Sequence, residues 1–371
     1  MAKQKERRVE EVEQTVVTPN SDGTMAIDAT KAKLIGKRKL FTLPQWGVAW
    51  LVLIPALIFI IFFMMFPIVN TFLNAFLVNF KYDEGGAFAI GQFIVGVRNG
   101  AQSYFGFDNF KQIITDEPLF WHSVRNTAEL VIIEVPLTII ISLLLATFLN
   151  SIKVLRGFYQ TIFFLPYVTN AIALGLVFSI AFGPDKGGLV NMFLSPLGID
   201  PINWVNNDVN YGVASRFHQG VVIVAYSIWN GLAFKILVFM SGLATIDKQY
   251  YDAAKIDGSS SFTIWRRITL PLLSPQILYI TITSFIGAFK MYTGVMTIYQ
   301  GTGTGAYYFG PAESVEYQGA QWIPVVGWIY KNMKENESAP GLASAGSLIL
   351  LAIIMVITAV QFAVSKRRVH Y

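Results

Sequence analysis

Apolar residues recur along the chain in runs of roughly 20, separated by polar stretches or by stretches rich in Gly and Pro. A helical residue advances ~1.5 Å, so about 20 of them cross a hydrocarbon core of ~30 Å. Six runs reach that length: 46–71, 124–149, 159–182, 219–243, 277–299 and 344–364. Backbone groups in lipid must pair within their own segment, and barrel strands would be about half as long and alternate in polarity. The runs therefore predict helices. The expected fold class is an all-α polytopic membrane protein with six transmembrane helices.

The polar segments predict how those helices are oriented, because Lys and Arg are enriched on the cytoplasmic side of a membrane. With both termini inside, the inner segments carry 18 Lys and Arg, the outer loops carry seven, and Arg125, Lys235 and Lys290 fall within spans. An N-in, C-in topology follows. Residues 1–45 read as a disordered cytoplasmic tail with room for a short amphipathic helix near 3–12, and residues 46–371 as the transmembrane domain. The first apolar run begins too late for a secretory signal peptide, so it is taken as a retained span. Of the outer loops, 79–123 holds a Gly-rich stretch at 85–100, and 183–218 is studded with Gly, Pro and Asn and carries Trp204 as an aromatic anchor.

Composition agrees with a lipid solvent: 54% of residues are hydrophobic, mean hydropathy is +0.50, and only 14% are charged, against about 25% in soluble domains. The net charge of +5 is accounted for by the inner-face bias, which also suits anionic headgroups, and calls for no nucleic-acid partner. The chain has no cysteine, which excludes disulfides and thiolate metal sites.

The loop 244–276, on the predicted cytoplasmic side, is too patterned for a connector. Thr245 or Asp247 can cap a first short helix, and Gly258 supplies a helix end. Ser259, Ser260 or Ser261 can cap a second helix with Phe262, Trp265 and Ile268 along one face, which Leu270 and Pro271 are expected to stop. Within the loop stand Asp252-Ala253-Ala254, then three residues, Gly258, nine residues, and Ile268-Thr269-Leu270-Pro271. This spacing resembles the signature of ABC-importer permeases, with Asp252 where that pattern has Glu.

Further segments are similar to the carbohydrate-uptake branch of those permeases, the maltose and multiple-sugar type. They are Asn126-Thr127, Leu165-Pro166, Gly188-Leu189-Val190-Asn191 with Leu194, Gly198 and Trp204, Tyr251 with Ile256-Asp257-Gly258, and Gly341-Leu342-Ala343-Ser344-Ala345. The tail and the stretch 301–331 do not share the resemblance. It implies the ABC-importer permease fold in a bacterial or archaeal cell membrane. Asp252, Ala253, Ala254, Gly258, Ile268, Leu270 and Pro271 would couple to a separate ATPase. The implied partners are a second, homologous permease, two ATPase subunits carrying ATP and Mg, and an extracytoplasmic solute-binding protein. The implied cargo is a sugar or oligosaccharide moved by alternating access. Importers of another small polar solute remain an alternative. An ion-driven secondary carrier is a second one, which would leave the 252–271 spacing unexplained.

No Gly-x-x-x-x-Gly-Lys-Ser/Thr phosphate loop occurs, so no bound cofactor and no covalent chemistry are expected of this chain. Gly301-Thr302-Gly303-Thr304-Gly305 reads as a flexible loop, and His122, His218 and His370 lack metal-ligand spacing. Glu129, Glu134, Lys235 and Lys290 are ionisable residues within spans, costly in lipid and so functional candidates; the plainer readings are snorkelling lysines and carboxylates facing a water-filled path. Tyr226, Trp229 and Asn230 share one helical face, as do Phe285, Phe289 and Tyr292. Rings pack on pyranose faces and amides bond hydroxyls, which makes both sets candidates for a substrate path; helix packing is the alternative.

Overall fold

The structure, a computed structural model, describes residues 17–19, 25–27, 45–79, 104–152, 156–205, 214–300, 322–334 and 339–365. The expectations for 3–12, 85–100, Gly301 to Gly305 and His370 lie outside the described residues. The chain divides into two compact units, 1–68 and 69–371.

In the first unit β1 (Val17–Pro19) and β2 (Met25–Ile27) pair antiparallel, so the tail read as disordered contains a small strand pair. Asn20-Ser21-Asp22-Gly23 between them has turn composition, and Val17, Thr18 and Ile27 are β-branched. Helix α1 (Gln45–Ile60) leads through a π-helical turn (Ile61–Met65) to α2 (Phe66–Ala75).

The second unit carries short strands β3 (Leu77–Val78) and β4 (Tyr104–Phe105), then helices α3 (Asp108–Thr115) and α4 (Pro118–Ser151). Next come α5 (Arg156–Val168), α6 (Ala171–Ala181), α7 (Leu189–Leu194) and α8 (Arg216–Thr245). Helices α9 (Lys248–Ile256) and α10 (Ser261–Ile264) follow, then a π-helical turn (Trp265–Thr269), α11 (Leu270–Leu272) and α12 (Ser274–Phe289). The last are α13 (Thr293–Gln300), α14 (Val325–Lys334) and α15 (Pro340–Ser365). The helical class holds. Among the described residues four helices are long and apolar enough to cross a bilayer, Ala49–Ala75, Pro118–Ser151, Arg216–Thr245 and Pro340–Ser365, and a fifth span results if Ser261–Leu272 and Ser274–Phe289, bent by 66°, are taken together. The chain is a multi-pass membrane protein.

Two of the expected spans are broken. The run 159–182 is split into α5 and α6 at Thr169 and Asn170, where the Asn170 carboxamide oxygen accepts from the Ile172 N–H at 2.8 Å and caps α6. A side chain that offers the backbone this bond competes with helix continuation. The run 277–299 is split into α12 and α13: the Lys290 and Met291 N–H groups reach back three residues, to Gly287 and Ala288 carbonyls, and tighten the helix shut. Apolar composition runs on through both breaks, so hydropathy alone hides them.

The core lies between α4 and α8, which pack along each other, with α14 against α4 and α15 against α14, α3 and α12. Trp328 of α14 is fully buried, with its ring edge-on to Phe120 at 4.9 Å and Gly346 of α15 beneath it. Gly341 to Ala345, expected just before the last span, form its buried first turns, and a Cβ on Gly341 would collide with the Leu77 carbonyl.

Candidate functional site

A cavity of about 380 Å³ opens between α4, α8, α12 and the two chain breaks. Glu134, Tyr226, Asn230, Lys235, Lys290 and Tyr292 contribute to its wall. Ala171, Thr293 and Gly294 line it as well, at the first residues of α6 and α13. The break in each span is therefore also what shapes the cavity.

Tyr226 is buried, and its hydroxyl donates to the Ala171 carbonyl at 3.1 Å, tying α8 to the start of α6. Its ring lies so close to Gly294 that a Cβ there would overlap it, and Gly175 of α6 meets Thr297 of α13 in the same way. Glycine at these two positions lets three helices converge. The Lys235 amine lies over Gly231, one turn earlier on α8, where an added Cβ would come within 2.7 Å of Nζ. Glu134 faces the cavity from α4 with Oε2 buried and without a hydrogen-bond partner.

Of the residues read from the sequence as a substrate path, Tyr226, Asn230 and Tyr292 meet at this cavity. The other three are not on its wall: Trp229 is half-exposed, Phe289 is buried in the core, and Phe285 packs against that core. Helical spacing groups residues on a face about 100° wide without saying which edge of the face meets the opening. Glu129 is absent from the cavity too; it pairs with Arg125 at 2.7 Å and with Arg216, whose guanidinium also donates to Asn126 and lies 4.1 Å over the Trp322 ring. Ser227, Thr283 and Ser284 line the cavity and escaped the sequence reading, since a lone hydroxyl in an apolar helix bonds its own backbone as readily as a ligand.

The patterned loop forms an elbow. The Asp247 carboxylate accepts from the Gln249 N–H and caps α9, and Ser260 Oγ accepts from the Thr263 N–H and caps α10. Thr245 instead ends α8. Between them Gly258 has φ +73°, its N–H donates to the Lys255 carbonyl, and the Ser259 N–H donates to the Ala254 carbonyl. This is a Schellman ending, whose left-handed residue is best supplied by glycine. Asp252, Ala253 and Gly258 are exposed, with Tyr250, Ile256 and Phe262 presenting apolar surface beside them.

One expectation for the loop is overturned. The second short helix does not stop at Leu270 and Pro271 but runs on through the π-helical turn one residue further, to Leu272. The bend comes at the fully buried Leu273. Ile268 lies in the π-helical turn, half-buried. The elbow is fastened to the bundle: Trp265 Nε1 donates to Thr147 Oγ1 of α4 at 3.3 Å, Tyr251 and Thr269 hydroxyls bond at 3.3 Å, and Gly242 of α8 leaves room only for Leu273 and Gln276.

The family described as "binding-protein-dependent transport system inner membrane component" matches residues 138–370. An arabinooligosaccharides transport system permease protein of Bacillus subtilis is 27% identical over 350 residues, covering 94% of this chain and 97% of that protein. A lactose transport system permease protein of Rhizobium radiobacter is 29% identical over 322 residues, covering 86% and 94%. Among solved structures, a chain of a bacterial alginate ABC transporter, crystallised with an alginate pentasaccharide-bound periplasmic protein, superposes with a TM-score of 0.66 at 19% identity, over 86% of this chain and 94% of that one. That likeness extends to the fold.

Proposed function

The chain belongs to the family of binding-protein-dependent transport system inner membrane components, and from that premise we propose that it is the permease subunit of an ATP-driven importer whose cargo is a sugar or oligosaccharide. The observation that carries the reading is the join between elbow and cavity. The exposed α9–α10 elbow continues through one bent helical pair into α12, whose far end, at Gly287 to Lys290, is cavity wall. A displacement imposed on the elbow is carried rigidly along this element, because Trp265, Tyr251 and Leu273 leave it no slack. Packed cores respond to such a push by switching between discrete arrangements.

In this mechanism the chain itself makes and breaks no covalent bond. ATP and Mg would sit on two ATPase subunits that receive the elbow through Asp252, Ala253, Ala254 and Gly258. Ile268, Leu270 and Pro271 would hold the second helix at its angle. A second, homologous permease would complete the path, and an external binding protein would deliver cargo when the cavity faces outward. The six-span, N-in, C-in arrangement would put the elbow on the cytoplasmic side. The carbohydrate cargo is taken from the arabinooligosaccharide and lactose relatives and suits a cavity that offers an amide, hydroxyls and tyrosine rings.

Affinity purification of the tagged chain from its native membrane tests the proposal. An ATPase chain and a second permease should co-elute in fixed stoichiometry, and hydrolysis should rise when binding protein and oligosaccharide are added. Isolation of the chain as a self-sufficient carrier with no ATPase would overturn it.

A further inference from the structure

Three side chains charged at neutral pH line the cavity, Glu134, Lys235 and Lys290, so its described wall carries one positive charge in excess. Lys235 lies in the middle of α8 and is nine-tenths buried, and among the described residues its ammonium closes no hydrogen bond or ion pair. Glu134 on the facing helix is as deeply buried, and its unpartnered oxygen shows that the two have not collapsed onto each other. A pair whose task was to fasten α4 to α8 would be closed, since separated buried charges are expensive. Snorkelling does not explain Lys235 either, because its amine folds back over Gly231 at the cavity. Lys290 follows the last turn of α12, and the carbonyl end of that helix accounts for part of its placement, but not for the cation in the middle of α8.

The breaks add a second source of positive potential. Helices α6 and α13 both begin at the cavity wall, at Ala171 and Thr293. Each N-terminus carries about half a unit of positive charge, offset in part at α6 by the Asn170 oxygen that caps the Ile172 N–H. Interrupted membrane helices use such ends to face anionic groups of their cargo.

We propose that this cavity takes a saccharide bearing an anionic group, a carboxylate or a phosphate, between Lys235 and Lys290, with the Asn230 amide on the same wall facing its neutral hydroxyls. The inference rests on the reading of the chain as a sugar permease and narrows its cargo. Charge-assisted hydrogen bonds to two ammonium groups are stronger than those to sugar hydroxyls. Glu134 balances Lys235 while the cavity is empty.

The test is calorimetric binding to the purified complex containing the full chain, in lipid nanodiscs and without the binding protein, so that the permease alone selects. Galactobiose is compared with digalacturonate, and glucose with glucose 6-phosphate. At least one anionic probe should bind on the order of tenfold more tightly than its neutral counterpart, the size of one charged hydrogen bond, and which one does so separates carboxylate from phosphate. Lys290→Gln should abolish the preference and Lys290→Arg should keep it. Equal or tighter binding of the neutral probes, no binding by any of the four, or a preference unchanged in Lys290→Gln would overturn the inference. The wild-type comparison stands even where a variant assembles poorly. Neutral sugars bound or imported without an anionic preference would leave the sugar-permease reading intact, whereas a complex that imports only amino acids or other non-carbohydrates would remove that reading too.

Discussion

At Asn191 one buried amide holds together the whole segment 183–205. Its Nδ2 donates to the carbonyls of Gly183, Asp185 and Ile202, and its Oδ1 accepts from the Ile202 N–H and from Trp204 Nε1 at 3.0 Å. Trp204 in turn packs edge-on against Phe182 and tilts against His218. The tryptophan read as a membrane anchor is thus a brace between this segment and α8. Replacing the amide strands several buried backbone groups, each worth roughly 1–3 kcal/mol. Asn191→Ala is expected to lower the thermal unfolding midpoint of the purified protein markedly, while Asn191→Asp, which keeps only the acceptor, should fall between. A midpoint unchanged in Asn191→Ala would assign the fold of 183–205 to its apolar contacts instead. Residue-level legibility was uneven. Gly258 was readable because a helix end needs a left-handed residue, and Lys235 because charge is costly in lipid. That Glu134 shares a cavity with Lys235 was not, since the two are brought together only by the crossing of α4 and α8.

The elbow is the element whose sequence and geometry agree most closely. Both caps, the glycine ending and the two short helices follow from local side-chain chemistry, which a single sequence displays. What it did not display was the one-residue continuation past Pro271, because a proline near a helix end is tolerated or not according to the preceding backbone, here the π-helical turn Trp265–Thr269. The two span breaks were hidden for a related reason: Asn170 and the Lys290 region interrupt helices whose flanks stay apolar. At Gly258 an added Cβ meets nothing within 4 Å, so the cost of a substitution there is the backbone's alone. Left-handed geometry costs an L-residue about 1–2 kcal/mol, most for β-branched side chains and least for Asn. Gly258→Val should therefore give normal membrane insertion with loss of ATPase association, and Gly258→Asn should retain it. Co-purification yield measures both. Equal retention by the two variants would separate the elbow's shape from the docking role.

Across the whole molecule, hydropathy made the membrane class and the helical fold legible, and charge asymmetry made an orientation arguable. The chain's lack of cysteine gives a clean way to check that orientation. Ser260→Cys, on the elbow, should be shielded from impermeant thiol reagents in intact cells, and Ser195→Cys, directly after α7, should react. The reverse pattern would invert the topology and detach the elbow from cytoplasmic ATPases. Helix α14 shows where such legibility ends. The apolar stretch of Trp322, Ile323, Val325, Val326, Trp328 and Ile329 is too short for a span and carries none of the motifs read from the sequence, although the family match of 138–370 includes it, and Trp328 is among the largest fully buried side chains. Tertiary burial, with Phe120 and Gly346 as partners, decides its role.

The most direct test of the central claim is uptake into proteoliposomes containing the purified complex, with ATP inside and the binding protein and labelled oligosaccharide outside. The account predicts accumulation that needs both ATP and the binding protein, and that is lost in Asp252→Lys, which reverses a charge on the exposed elbow, although the complex still assembles in the membrane. Accumulation driven by an ion gradient in the absence of ATP, or undiminished transport by Asp252→Lys, would contradict it.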